Sequence, residues 1–207
     1  TCGGAFADDD RVTQYGYSST GQLSELRALD TYGDGNTTTG DEQVTRYYYT
    51  DDYTSMGASS VERNGVRMAT VYPDSDDRYD PATGNWTDGA DHDRISMTYY
   101  ANGALKSRED QRTVELQYAY DDLGRLTTVG LPVDAADDPT ESFPTGVDDA
   151  VERIAFTYDS LGRMTRADSL AYDDGTDTWD YVNGVLREYN ADSWGKLAAE
   201  YQNHTGQ

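Results

Sequence analysis

The sequence predicts an all-β protein made of repeated antiparallel β-hairpins, and three observations support this fold class. Residues 120–126 (YDDLGRL) recur almost letter for letter at residues 158–164 (YDSLGRM), after 158 − 120 = 38 residues. Glycines at turn positions recur at half that interval, since Gly65, Gly84 and Gly103 follow one another in steps of 19 residues. The chain also contains 18 Tyr, a residue type enriched in strands. A fixed period of this kind indicates a repeat architecture, in which each unit packs against its neighbours.

The seven-residue motif is predicted to join two strands through a tight turn. Before Tyr120, apolar and polar residues alternate with the period of two that is typical of a half-buried strand. Asp121 is placed to accept hydrogen bonds from turn amides, and Gly124 holds a position that favours a left-handed backbone. Arg125 is expected to pair with acidic neighbours, and Leu126 begins the return strand. The corresponding residues of the second copy are Tyr158, Asp159, Gly162, Arg163 and Met164.

Weaker copies share the frame of a tyrosine, three residues, a glycine, one residue and an apolar residue. They lie at residues 17–23 (YSSTGQL) and 99–105 (YYANGAL). Copies that differ from the frame in length lie at residues 79–84 (YDPATG) and 189–197 (YNADSWGKL). The frame therefore extends the hairpin prediction over most of the chain.

Taken in order, residues 1–10 are predicted to be a loose N-terminal segment, and residues 11–207 an array of hairpins. The array starts with a degenerate hairpin around Gly21 and a strand over residues 44–49. Residues 73–93 are rich in Asp and turn residues, with Trp86 as their expected anchor.

Further hairpins are expected where Asn-Gly gives a strong two-residue turn signal, at Asn64-Gly65, Asn102-Gly103 and Asn183-Gly184. Residues 130–150 contain three prolines and are predicted to form an acidic surface loop inserted between paired strands. A last hairpin is expected to open at residues 194–197, with its partner strand beyond residue 207.

The motif resembles Tyr-Asp-x-x-Gly-Arg-Leu, the hallmark of the YD-repeat or RHS-repeat family. Residues 120–126 match the hallmark fully, and residues 158–164 depart from it only at Met164. Residues 151–204 particularly resemble repeats of large secreted bacterial members, including planctomycete-type ones. Relatives in this family include toxin-complex subunits, polymorphic toxins and the teneurins of animals. The resemblance implies hairpins that wind into a continuous spiralling sheet, as a segment of a shell or a β-solenoid-like fibre unit.

The resemblance also implies a structural role outside the cell or at its surface, without catalysis. The partners would be the rest of a larger YD-repeat chain or other copies of this one. The sequence contains no Asp-Pro-x-Gly-type core motif and begins at Thr1 without a Met. We therefore expect an internal or processed portion of a longer protein.

The charge of the chain disfavours several classes of partner. Its 39 acidic and 16 basic residues give a net charge of −23. Nucleic acids and anionic membrane surfaces are unfavourable partners because their recognition needs basic clusters. No membrane span is expected, since no run approaches the roughly 18 apolar residues of a spanning helix. Such acidity fits a saline or divalent-rich exterior, where ions screen the repulsion between like charges.

Calcium is the only cofactor that the sequence suggests, through a set of oxygen ligands in one Asp-rich loop. Asp30, Asp34, Asn36 and Asp41 approximate a twelve-residue calcium-binding loop, although Tyr32 stands at its third position and Asp41 at its twelfth, where a bidentate Glu is expected. Such clusters also arise by chance in so acidic a chain, and a solvated acidic face is the alternative. No catalytic residue is predicted, because His92 lies between two aspartates without a recognisable nucleophile motif nearby.

Aromatic and Asn-x-Thr residues provide the remaining candidate sites. Trp86, Trp179 and Trp194 are candidates for stacking on glycans, with cross-strand aromatic packing as the alternative. Asn36, Asn85 and Asn203 match the acceptor pattern for N-glycosylation. The main hypothesis is a scaffold segment, either shell wall or self-assembling surface fibre. The alternative is an adhesion or glycan-binding module that uses the tyrosine- and tryptophan-rich sheet.

Overall fold

A computed structural model describes residues 12–29, 43–49, 65–73, 75–80, 85–87, 93–132, 151–173, 175–176, 178–191 and 195–204. It confirms the predicted all-β fold class: the described residues form 14 strands and no helix. The predicted segment 1–10 and most of the predicted loop 130–150 lie outside these ranges. The chain divides into two compact units, Thr1–Gly103 and Ala104–Gln207.

The first unit contains seven strands. They are β1 (Val12–Tyr17), β2 (Leu23–Leu29), β3 (Gln43–Tyr49), β4 (Arg67–Val71), β5 (Arg78–Asp80), β6 (Asn85–Thr87) and β7 (Arg94–Tyr99). Its sheet has the order β1-β2-β3-β4-β7, and β5 and β6 form a separate two-stranded ribbon. The predicted hairpin around Gly21 and the predicted strand over residues 44–49 are both present, as β1-β2 and β3.

A small core lies around β4 and the β5-β6 ribbon. Met68, Ala69 and Val71 of β4 are buried. The ring of Trp86, on β6, contacts the rings of Tyr48 and Tyr79, with centroids 5.2 Å away in each case. Trp86 therefore packs the β5-β6 ribbon, which is the described part of the Asp-rich segment, against Tyr48 of the sheet.

An ion pair closes this core. The Asp77 side chain is fully buried, and its Oδ2 accepts a hydrogen bond from Arg94 Nη1 at 2.9 Å. The Arg94 guanidinium also lies 4.6 Å from the centre of the Trp86 ring. Burying a carboxylate is unfavourable unless it is paired, so removal of either partner should destabilise this unit strongly. No pattern in the sequence indicates this pair, because its residues are 17 positions apart.

The second unit contains the other seven strands, which are hydrogen-bonded in chain order. They are β8 (Leu105–Glu109), β9 (Glu115–Tyr120), β10 (Leu126–Gly130), β11 (Arg153–Tyr158), β12 (Met164–Asp173), β13 (Thr178–Tyr189) and β14 (Leu197–His204). β10 pairs with β11, so the two strands that flank the predicted loop 130–150 are paired with each other, and Gly130 itself belongs to β10. Among the described residues of this unit, Leu131 is the only buried hydrophobic side chain. Most side chains of the described strands in this unit are half-buried or exposed, so cross-strand contacts on the faces of the sheet contribute to its stability.

Five pairs of consecutive strands carry a β-bulge at the same place. The pairing skips one residue three positions after a glycine with positive φ, at Ser24, Met68, Thr127, Thr165 and Ala198. A bulge adds a residue to one strand and increases the local twist. The repetition of the bulge shows that the repeat in sequence is also a repeat in backbone geometry.

Two predicted Asn-Gly hairpins are wrong. Gly65 has a φ of 91°, but the strand that follows it, β4, pairs with β3 through Tyr49 and Arg67 rather than closing a two-residue turn. Asn183 and Gly184 lie inside β13, which runs unbroken between β12 and β14. Glycine is favoured there because an added Cβ would lie 2.9 Å from the backbone carbonyl oxygen of Ala167 and 2.5 Å from the carboxylate of Asp168. Cross-strand crowding thus selects a glycine that resembles a turn signal in the sequence.

The last hairpin also differs from the prediction. β14 pairs with β13, with Tyr189 opposite Leu197, so its partner does not lie beyond residue 207. The connection between them is two residues longer than in the full motif, and Asn190 N donates to Lys196 O at 2.9 Å. Residues 189–197 are therefore an expanded copy of the same hairpin.

Candidate functional site

The turn of the motif is built around the Asp121 side chain. Its Oδ1 accepts hydrogen bonds from the amides of Leu123 and Arg125, at 3.0 and 2.9 Å. The Gly124 amide donates to the Asp121 carbonyl at 2.9 Å, and Gly124 has a φ of 78°. The left-handed glycine expected from the sequence is therefore present.

The second copy repeats this turn. Asp159 Oδ1 accepts from the amides of Leu161 and Arg163, both at 2.9 Å, and Gly162 has a φ of 82°. Leu123 and Leu161 occupy the same position at the tips of the two turns and are 78% and 75% exposed. They contribute little to packing, which explains why the weaker copies carry other residue types at this position.

Each motif aspartate also holds the arginine four residues later. Arg125 Nε donates to Asp121 Oδ2 at 2.6 Å, and Arg163 Nε donates to Asp159 Oδ2 at 2.7 Å. The hydrogen bond from the Arg125 side chain is the main cause that lowers the pKa of Asp121. The backbone amide of Arg163 is the main cause that lowers the pKa of Asp159. Both carboxyl groups are thus held in the ionised form, and the ion pair fixes the direction of each arginine.

The fixed arginine reaches the tyrosine of the next copy. The Arg125 guanidinium lies 4.7 Å from the centre of the Tyr158 ring, and that of Arg163 lies 4.5 Å from the Tyr189 ring. Arg125 Nη1 also approaches the carbonyl of Asp159 at 3.3 Å. The cation–π contact is therefore a link between successive hairpins.

A hydrogen bond completes the link from the opposite direction. The Tyr158 hydroxyl donates to the carbonyl of Leu126 at 2.7 Å, and the Tyr189 hydroxyl donates to that of Met164 at 2.8 Å. In both cases the acceptor lies two residues after the turn glycine of the preceding copy. We call this set of contacts, from aspartate to arginine to the next tyrosine and back, the inter-hairpin clamp.

The first unit contains an equivalent hydrogen bond without the aspartate and arginine. The Tyr99 hydroxyl donates to the carbonyl of Arg67 at 2.7 Å, and Arg67 lies two residues after Gly65. Burial is the main cause that raises the pKa of the Tyr99 hydroxyl. The tyrosine of the frame is thus the part of the clamp that persists in a degenerate copy.

One turn of the repeat was not predicted, because it lacks glycine. Asp110 Oδ1 accepts from the amides of Arg112 and Val114, and the Thr113 amide donates to the Asp110 carbonyl. These are the bonds of the Asp121 turn. Thr113 takes the glycine position with a φ of 62°, which is unfavourable for a β-branched residue. The only signal in the sequence was Asp110 itself.

The tryptophan candidates that the structure describes lie in packed aromatic clusters. The Arg153 guanidinium lies 3.7 Å from the centre of the Trp179 ring, and Tyr172 contacts the same ring at 5.1 Å. Trp86 is held between Tyr48, Tyr79 and Arg94. A sugar would have to displace an arginine from either ring. Trp194 lies outside the described residues.

The calcium and glycosylation candidates are only partly covered by the structure. Asp30, Asp34, Asn36 and Asp41 lie outside the described ranges, so the calcium loop stays a prediction. Among residues that are described, no group of three or more His, Cys, Asp or Glu side chains could hold a metal ion. Asn85 begins β6 and Asn203 lies in β14, and both are exposed. In the described part of the chain, no helix is long and apolar enough to cross a bilayer.

Comparisons with known proteins show no family for this chain. No family model matches it, and no curated protein matches it. Among solved structures, it is similar to a chain of "TcdB2-TccC3-TEV", with a TM-score of 0.34 and 15% identity over 94% of this chain. It is also similar to a chain of "TcdB2-TccC3-Cdc42", with a TM-score of 0.30 and 17% identity over 96% of this chain. The chain spans 10% and 12% of the length of those two chains.

Proposed function

We propose that this chain is a non-catalytic structural segment of an extracellular or cell-surface YD-repeat protein, either a shell wall or a self-assembling fibre. The inter-hairpin clamp is the observation that carries the proposal. Asp121, Arg125 and Tyr158, the charged and polar side chains that the motif repeats, contact one another and the backbone. Groups engaged in this way hold successive hairpins together, as a structural role requires.

The last described strand, β14, presents an edge to which another hairpin could pair. The tyrosine of the last copy of the frame, Tyr189, closes the clamp on Met164, whereas the return strand of that copy begins at Leu197 in β14, where the strand order ends. Leu197 is 51% exposed. The Leu197 carbonyl occupies the position that accepts a tyrosine hydroxyl in the preceding copies. A hairpin from the rest of a larger chain, or from another copy, would supply that tyrosine.

Self-association of the full chain tests the proposal. Sedimentation and negative-stain electron microscopy in about 1 M salt, which reduces the Debye length to roughly 3 Å, should reveal concentration-dependent oligomers or filaments. Ala198→Lys adds a charge at an exposed position of β14 and should weaken association without lowering the unfolding midpoint. A chain that remains monomeric at every concentration and salt would contradict the self-assembling form of the proposal.

The second candidate function is adhesion or glycan binding. Exposed tyrosine rings favour it, since Tyr15, Tyr17 and Tyr201 are 56%, 64% and 50% exposed. Tyrosine offers a large apolar surface with a polar tip, as sugar-binding surfaces require. A glycan array probed with the full chain tests this candidate, and an array without any bound glycan would contradict it.

A further inference from the structure

A groove of about 340 Å³ opens on the face of β12, β13 and β14 in the second unit. Gly184 lies beneath one end of it, opposite Asp168 on one side and Asn203 on the other, and its missing side chain leaves room for the side chains of Asp168 and Tyr181. An added Cβ there would meet Asp168 Oδ1 at 2.5 Å and the Tyr181 hydroxyl at 2.9 Å. The glycine therefore lets the Asp168 carboxylate and the Tyr181 hydroxyl come together at this end of the groove.

Polar groups converge at one end of this groove. Arg166 Nε donates to Asp168 Oδ1 at 2.6 Å, and the Tyr181 hydroxyl donates to the Asn203 carbonyl at 3.3 Å. Together these residues offer a guanidinium, a carboxylate, a hydroxyl and an amide within one small area. The Asp168 side chain is 16% exposed and that of Arg166 is 48% exposed, so the arginine remains accessible beside a sheltered carboxylate.

Apolar surface lies at the other end. Leu186 pairs with Tyr201 across β13 and β14, and their side chains are 43% and 50% exposed. This pair lies two residues along the strands from Gly184 and Asn203, which corresponds to about 7 Å. That distance is close to the width of one sugar ring, so a single ring could contact the apolar and the polar end together.

We propose that this groove binds one residue of a neutral saccharide. A pyranose presents an apolar C–H face, which suits the ring of Tyr201 and the methyl groups of Leu186, and a rim of hydroxyls that both donate and accept. The charges of Arg166 and Asp168 cancel within the groove, and the net charge of −23 disfavours acidic sugars. The proposal rests on the second candidate function and places its binding site, away from the tryptophans.

The test uses the full chain and defined probes. Methyl glycosides of glucose, galactose, mannose and N-acetylglucosamine, and their β-linked disaccharides, are titrated by saturation-transfer NMR and calorimetry. At least one neutral probe should bind, and Tyr201→Ala should weaken it by about tenfold, a typical effect of removing an aromatic contact. Tyr201→Phe keeps the ring and should bind nearly as the original chain does.

Two control measurements isolate the contribution of the groove. Leu123→Ala removes another exposed apolar side chain, at the tip of a turn outside the groove, and should leave binding unchanged. Thermal melting of every variant checks that the fold is kept. Neutral sugars that bind equally well to Tyr201→Ala would overturn the site while leaving glycan binding elsewhere on the chain in place. Binding restricted to acidic polysaccharides, or no binding to any probe, would overturn the groove as a neutral-sugar site.

Discussion

Gly124 and Thr113 occupy the same position in two turns with the same hydrogen bonds, and this equivalence gives a matched experiment. An added Cβ at Gly124 would meet nothing within 4 Å, so Gly124→Ala changes only the backbone preference. We expect it to lower the free energy of unfolding by about 0.5–1 kcal/mol, because the left-handed strain exceeds the entropy gained. Thr113→Gly should raise the free energy of unfolding by a similar amount, because it removes strain at a φ of 62°.

Urea unfolding of both variants measures these changes. Asp122→Asn, at an exposed position of the same turn, is the control and should have almost no effect. If Gly124→Ala and Thr113→Gly changed the free energy of unfolding in the same direction, the positive φ that the two positions share would not explain their effects on stability.

The motif aspartates should make part of the stability dependent on acid. In the folded chain, a hydrogen bond from the Arg125 side chain lowers the pKa of Asp121, and one from the Arg163 backbone amide lowers the pKa of Asp159. A lowered pKa means that the stabilisation is fully present above the unfolded value of about 3.9 and is lost as the pH falls through the folded value.

The difference in melting temperature between the original chain and Asp121→Asn measures this effect. It should be largest near neutral pH and should shrink below about pH 4, where the carboxyl group of the original chain becomes neutral as well. A difference that stays constant down to the acid end of the titration would show that the charge of Asp121 does not stabilise the turn. Acidification also reduces the general repulsion between acidic side chains, but it does so in both chains, so the difference between them is free of this effect.

At the scale of the strand and hairpin, the clamp explains why the repeat retains tyrosine. The Tyr158 hydroxyl reaches a carbonyl in the preceding hairpin, while its ring supports Arg125. Tyr158→Phe should lower the free energy of unfolding by about 0.5–1.5 kcal/mol, because it leaves the Leu126 carbonyl without this donor and keeps the ring.

Tyr201→Phe is the matched control for this prediction. The Tyr201 hydroxyl has only a long contact of 3.4 Å with Glu188, and the residue is 50% exposed, so its loss should be nearly neutral. Chemical unfolding of both variants gives the comparison. Equal stability of the two would mean that the clamp hydrogen bond does not hold the hairpins together.

At the scale of the whole molecule, the net charge of −23 should make stability depend on salt. Screening lengths fall from about 10 Å at 0.1 M salt to about 3 Å at 1 M, so repulsion between acidic side chains is progressively reduced. The melting temperature should therefore rise steadily with sodium chloride. A melting temperature that falls with salt would show that the ion pairs outweigh the repulsion.

Calcium chloride at matched ionic strength separates screening from a specific site. A larger rise with calcium, reversed by a chelator, would support the loop predicted at Asp30, Asp34, Asn36 and Asp41. Equal effects of the two salts would leave only general screening and contradict that loop.

The sequence predicted a hairpin correctly wherever hydrogen bonds within the turn were enough to specify the turn. Asp121 and Gly124 specify their turn through bonds within five residues, so their roles could be predicted. The Thr113 turn was missed because its geometry is imposed by the flanking strands on a residue that does not favour it. Gly184 was misassigned because the preference of Asn-Gly for turns is overridden when strands on both sides hold the backbone extended.

The sequence alone determined that the chain is a repeat of antiparallel hairpins and which residues make its best turns, because these depend on period, alternation and local hydrogen bonds. Only the tertiary structure decided how one copy contacts the next. The stacking of Arg125 on Tyr158 and the bond from Tyr158 to Leu126 join residues 33 and 32 positions apart. The Gly184 groove likewise exists only where three strands meet. Contacts of this kind depend on strand register, which no local pattern in the chain specifies.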